Sequence, residues 1–71
     1  MLQYTERDSE ILHWIQDYKI ENGFPPSIRE IGAGVHLSRP AVQRHLWKLC
    51  QLGFISMVPK QPRTIVIKIP I

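Results

Sequence analysis

Seventy-one residues make at most one small domain, and a domain of this size buries only about 60% of the surface its unfolded chain exposes, so its core is modest. The single cysteine, Cys50, excludes an intramolecular disulfide, and no stretch approaches the roughly 20 apolar residues of a membrane span. The N-terminal MLQYTERDSE lacks the basic and apolar regions of a signal peptide, so the sequence predicts a soluble, cytoplasmic protein. The net charge is +3, but its distribution is uneven: all six acids stand in the first thirty residues beside three bases, whereas Ile31 onward carries six bases and no acid. Chance produces such asymmetry in short chains; its functional meaning is a face that meets a polyanion.

The first helix is predicted over about 5–22. TERD sets a hydroxyl at the N-cap and an acid three residues later, close to a capping box, and Ile11, Trp14, Ile15 and Tyr18 recur at helical spacing with Leu12 beside them. NGFPP ends it, with Gly23 as the C-terminal cap and prolines that cannot continue the helix. SIRE is a second Ser-x-x-Glu box, so a short helix is predicted over about 27–35, with Ile28, Ile31 and Val35 inward. Gly32 is expected to admit another helix closely, and fraying is expected at Gly34. HLS then separates this helix from a third, over about 39–52, with Ser38 as N-cap and Pro40 in the first turn, where its missing N–H does no harm. Val42, Leu46 and Leu49, at i, i+4 and i+7, form one buried stripe, and Gly53 ends the helix. Beyond it, FISMV and TIVIKIPI are β-prone and PKQPR is a basic turn, predicting a hairpin over about 54–69. The fold class is α+β, mainly α: a winged helix-turn-helix of three helices followed by a two-stranded β-hairpin wing, in a single domain over 1–71.

In helix-turn-helix proteins the second helix of the motif enters the major groove and its N-terminal residues touch base edges. Here that end carries Arg39, Pro40, Gln43 and Arg44, with Trp47 and Lys48 a turn later, on faces opposite or flanking the buried stripe. Arginine reads guanine bidentately and glutamine reads adenine similarly. Ser38 offers a hydroxyl or an N–H to a phosphate, since helix N-termini favour anions, and Ser27 with Arg29 repeats that arrangement one helix earlier. Lys60, Gln61 and Arg63 on the wing are expected to meet the DNA backbone or the minor groove. For Trp47, stacking on sugar–phosphate competes with packing beneath the wing, and packing is preferred. The plainer alternatives are solvated arginines on an exposed helix and wing bases that keep a β-edge soluble.

His13, His36, His45 and Cys50 lack paired metal-ligand spacing, and His45 and Cys50 are expected to pack beside the core. No nucleophile triad, carboxylate pair or glycine-rich phosphate loop stands out. The sequence therefore predicts no enzyme, no metal, no cofactor and no small-molecule ligand.

TERDSEILHWIQDYKIENGFPPSIREIG, VQRHLWKLCQLGFI and PKQPRTIVI together resemble the N-terminal DNA-binding domain of the LexA family of bacterial SOS repressors, from Thr5 to about Ile67. The run from Gly23 to Ile31 is the most specific part; that from His45 to Ile55 is shared with many winged-helix repressors. The resemblance implies sequence-specific operator binding, with roles carried onto Ser38, Arg39, Gln43, Arg44 and the wing from Lys60 to Arg63. Two departures stand beside it. GVHLSRPAVQRHL is one residue shorter than the family pattern and closer to the LSRP of GntR-like regulators, and His36 replaces a usual glycine, which predicts a left-handed histidine. LexA proteins also carry a self-cleaving, dimerising C-terminal domain, and the expectation is that this 71-residue sequence lacks both functions. It is then an excised domain or a stand-alone relative. The expected partner is double-stranded DNA, met as a homodimer or with a dimerisation domain outside this sequence. Pairing through TIVIKIPI is one route to a dimer, though completion of its own hairpin is preferred. A winged-helix protein-interaction module and a non-specific DNA-binding protein are the competing readings.

Overall fold

Residues 2–70 are described by a computed structural model; Met1 and Ile71, the two ends of the expected domain, lie outside the described residues. Helix α1 runs Glu6–Asn22, behind an extended Thr5 whose hydroxyl accepts from the Asp8 amide while the Asp8 carboxylate accepts from the Thr5 N–H at 2.8 Å. These reciprocal bonds satisfy donors that every helix start leaves without partners. Gly23 closes the helix at φ 82°, a left-handed conformation that glycine adopts without steric cost, and its N–H donates to the Lys19 carbonyl at 2.8 Å.

Helix α2 runs Ile28–Val35 behind the same device, Ser27 with Glu30. It does not fray at Gly34, contrary to expectation. A Cβ built there would fall inside the Trp14 indole of α1, so the missing side chain is what lets the two helices cross. Gly32 meets a turn more than a helix: a Cβ there would stand 2.7 Å from the Leu37 carbonyl oxygen, with Val42 of the next helix behind it at 3.6 Å. The helix ends in His36 at φ 60° and ψ 46°, the left-handed residue expected where the family has glycine.

Helix α3 runs Arg39–Gln51 from the N-cap Ser38, and Gly53, at φ 81°, turns the chain into the wing. Strand β1, Ile55–Ser56, pairs antiparallel with β2, Val66–Ile67, in the register Ile55 with Ile67 and Ser56 with Val66. Both strands are far shorter than the β-prone runs predict. Prolines 59 and 62 remove two ladder donors between them, and a side chain replaces the ladder. The Thr64 hydroxyl accepts from the Val58 N–H at 2.9 Å and sits 3.3 Å from the Val58 and 3.2 Å from the Gln61 carbonyl oxygens.

The core is one cluster fed by every element: Ile11, Leu12 and Ile15 from α1, Ile31 and Val35 from α2, Val42, Leu46 and Leu49 from α3, and Ile55 and Ile65 from the wing. Trp14 and Ile28 border it, partly buried. The molecule is a mainly helical winged helix-turn-helix, three helices followed by a two-stranded hairpin.

Candidate nucleic-acid interface

Because Val42, Leu46 and Leu49 turn inward, the geometry of a helix sends Arg39, Pro40, Gln43, Arg44 and Trp47 outward, and all five are exposed. Trp47 does not pack beneath the wing. It is 59% exposed, and it borders the wing only as one wall of an open groove shared with Met57, Pro59 and Lys60.

Two grooves gather these side chains. One, of about 470 Å³, lies where the starts of α2 and α3 face the wing, and Ser27, Arg29, Arg39, Gln43, Lys60, Gln61 and Arg63 line it. The other, of about 630 Å³, runs along the outer face of α3 between Pro40, Gln43, Arg44, Trp47 and Lys48. Gln43 borders both. Ser38 lines neither; it stands exposed at the helix start, its hydroxyl 3.4 Å from the Ala41 amide that it caps.

Two of the bases in these grooves are already engaged within the fold. Lys48 donates to the Asp8 carboxylate at 2.7 Å, and His45, one turn earlier, meets the other oxygen of the same carboxylate at 2.7 Å. Asp8 is fully buried. Burial alone pushes its carboxyl upward, but bonds from Lys48, His45 and Thr5 outweigh that and hold it at about 2. Arg63 clasps Glu30, 2.8 Å from one carboxylate oxygen and 3.1 Å from the other. It also donates to the Tyr18 hydroxyl and the Pro25 carbonyl, each at 3.2 Å, and its guanidinium lies 4.9 Å from the Phe24 ring centroid. The Arg63 bond, followed by those from the Ser27 amide and the Tyr18 hydroxyl, holds the Glu30 carboxyl at about 2 despite partial desolvation. Among the described residues, Arg29, Arg39, Arg44 and Lys60 have no carboxylate partner within ion-pair distance.

Sequence reasoning missed both latches. Thr5 and Ser27 reveal Asp8 and Glu30 as capping acids, but the second partner of each lies 40 and 33 residues away in the chain. Nothing local marks Lys48 or Arg63 as that partner. The left-handed backbone of Lys60 at φ 65° and Arg63 at φ 59° was equally hidden. Among the described residues no group of three or more His, Cys, Asp or Glu side chains is placed to hold a metal ion. No described helix is long and apolar enough to cross a membrane.

A family model, the LexA DNA binding domain, matches residues 1–64. The chain belongs to that family. Similar members are the LexA repressor of Thermobifida fusca, 43% identical over 67 residues, which is 93% of this chain and 27% of the relative. The LexA repressor of Staphylococcus aureus is 43% identical over 66 residues, covering 92% of this chain and 32% of the relative. That of Carboxydothermus hydrogenoformans is 40% identical over 62 residues, covering 86% and 30%. The chain thus spans less than a third of the length of these curated relatives. What they share with it is the DNA-binding domain, and the grooves around α3 and the wing are the features of this LexA-family fold that face outward with unpaired cations.

Proposed function

We propose that this domain binds double-stranded DNA sequence-specifically and represses transcription as the operator-binding part of a LexA-type regulator. The observation that carries the reading is the outward face of α3: Arg39 and Gln43 share a groove with Arg29 and the wing residues Lys60 and Gln61, Gln43 shares the adjoining groove with Arg44, and neither groove is lined by an acid. Helix α3 lies in the major groove, where Arg39, Gln43 and Arg44 reach base edges. Ser27, Arg29 and Ser38, at two helix starts, take backbone phosphates. Lys60 and Gln61 meet the backbone or the adjoining minor groove. Lys48 and Arg63 act on DNA indirectly, by fixing α3 and the wing. One copy covers one half-site, and two copies on a pseudo-palindrome make the specific complex, whether they pair through this domain or through another.

Selection of binding sites from a random duplex pool, at near-physiological salt, tests this. A symmetric sequence is expected, its half-site spacing reporting how two copies sit. A single unsymmetric half-site means a monomeric reader; equal affinity for every duplex means non-specific binding. No retention of DNA at all points to a protein-interaction module.

A further inference from the structure

Trp47 is a large aromatic side chain on a face otherwise made of Arg39, Pro40, Gln43 and Arg44, and it is 59% exposed. It follows Gln43 by one helical turn, about 6 Å along the axis. On one side it walls the groove that holds Pro40 and Arg44. On the other it walls a groove of about 460 Å³ shared with Leu46, Met57, Pro59 and Lys60. The indole is therefore an apolar ridge, with hydrogen-bond donors one turn before it and a wing cation beyond. Pro40, Gln43, Arg44 and Trp47 also follow the +3, +4, +7 spacing that keeps residues on one helical face, so a helix that brings Gln43 to a base edge brings Trp47 toward the next step.

An aromatic side chain carries about 150–250 Å² of surface that gains from burial, and the major groove offers one apolar group for it. Thymine displays its C5 methyl beside the O4 acceptor, a methyl next to a site that accepts from a donor. An indole following a glutamine amide and a guanidinium matches that pattern. We propose that Trp47 is a specificity-determining residue that packs on the C5 methyl of a thymine, one step along the groove from the base read by Gln43 or Arg44. This rests on the reading that α3 enters the major groove.

The test uses the whole chain and its selected duplex, with each thymine replaced in turn by deoxyuridine, which removes the methyl and nothing else. Wild type is expected to lose about tenfold in affinity at one thymine, the scale of a single methyl in an apolar contact. Trp47→Ala and the polar Trp47→Gln, both at an exposed position, are expected to bind the two duplexes equally, while Trp47→Phe keeps part of the difference. Circular dichroism establishes that each variant is folded. If the uracil duplex costs wild type and Trp47→Gln the same, another residue reads the methyl and the assignment is overturned. It is overturned too if no thymine responds, which puts the indole on sugar–phosphate. A pool that yields no enriched sequence sinks the major-groove reading itself, and this assignment with it.

Discussion

Arg39, Arg44 and Lys60 share grooves with Lys48 and Arg63, but only the last two are held by internal carboxylates. On the proposed DNA-binding reading, that difference separates a contact from a support. Each phosphate neutralised by a cation releases counterions, so the log–log dependence of affinity on salt steepens by about 0.9 per contact. Lys60→Ala is expected to flatten that slope by close to this amount. Arg63→Ala and Lys48→Ala are expected to lower affinity with the slope unchanged, as anisotropy titrations at several salt concentrations will read. Arg44→Ala should cost about 1–3 kcal/mol of discrimination at one base position. Gly34 is decided by packing alone: a Cβ there overlaps the Trp14 indole, so Gly34→Ala is expected to destabilise by about 1–3 kcal/mol in chemical denaturation, despite alanine's better helix propensity.

Each of the first two helices begins with a capping acid that also holds a distant element. Asp8 closes the start of α1 and anchors α3 through His45 and Lys48; Glu30 closes the start of α2 and anchors the wing through Arg63. The groove between α2, α3 and the wing therefore depends on the second latch for its width. Glu30→Gln leaves an amide oxygen for the Ser27 N–H but removes the bidentate partner of Arg63. The expected result is unchanged protection of α2 amides in hydrogen exchange and faster exchange at the Val58 and Gln61 N–H groups of the wing. Equal protection in wild type and variant would mean that Thr64 and the core hold the wing without Glu30.

In the molecule as a whole the two latches set the response to acid. The carboxyls of Asp8 and Glu30 ordinarily titrate at 3.8 and 4.5, and both are held at about 2 in the fold. Folded values below unfolded ones mean that the stabilisation is complete above about pH 4.5 and drains away as pH falls toward 2. For the buried Asp8 the contribution is roughly 2 kcal/mol, a large share of what a domain this small holds in reserve. Melting followed by circular dichroism should show a Tm that is flat from neutral pH down to about 4.5 and then falls steeply. In Asp8→Asn the neutral Tm is lower and the fall shallower. An acid limb as steep as in wild type would place the titration elsewhere.

The elements and the outward face of α3 were legible because their signals are local. Capping boxes stand three residues apart, the Val42–Leu46–Leu49 stripe fixes which way α3 faces, and Gly23, His36 and Gly53 mark ends by the backbone they permit. From those signals alone follow three helices, a tight turn, a hairpin, and a third helix with Arg39, Gln43 and Arg44 turned outward. The tertiary structure decided the rest, because the interactions concerned join residues far apart in the chain. Trp14 and Gly34 meet only once α1 and α2 cross, Lys48 and Arg63 become supports only when Asp8 and Glu30 arrive beside them, and the exposure of Trp47 depends on where the fold sets the wing beside α3. A sequence displays which residues carry charge and which helix face they occupy; whether a charge remains for a partner depends on the neighbour that the fold brings to it.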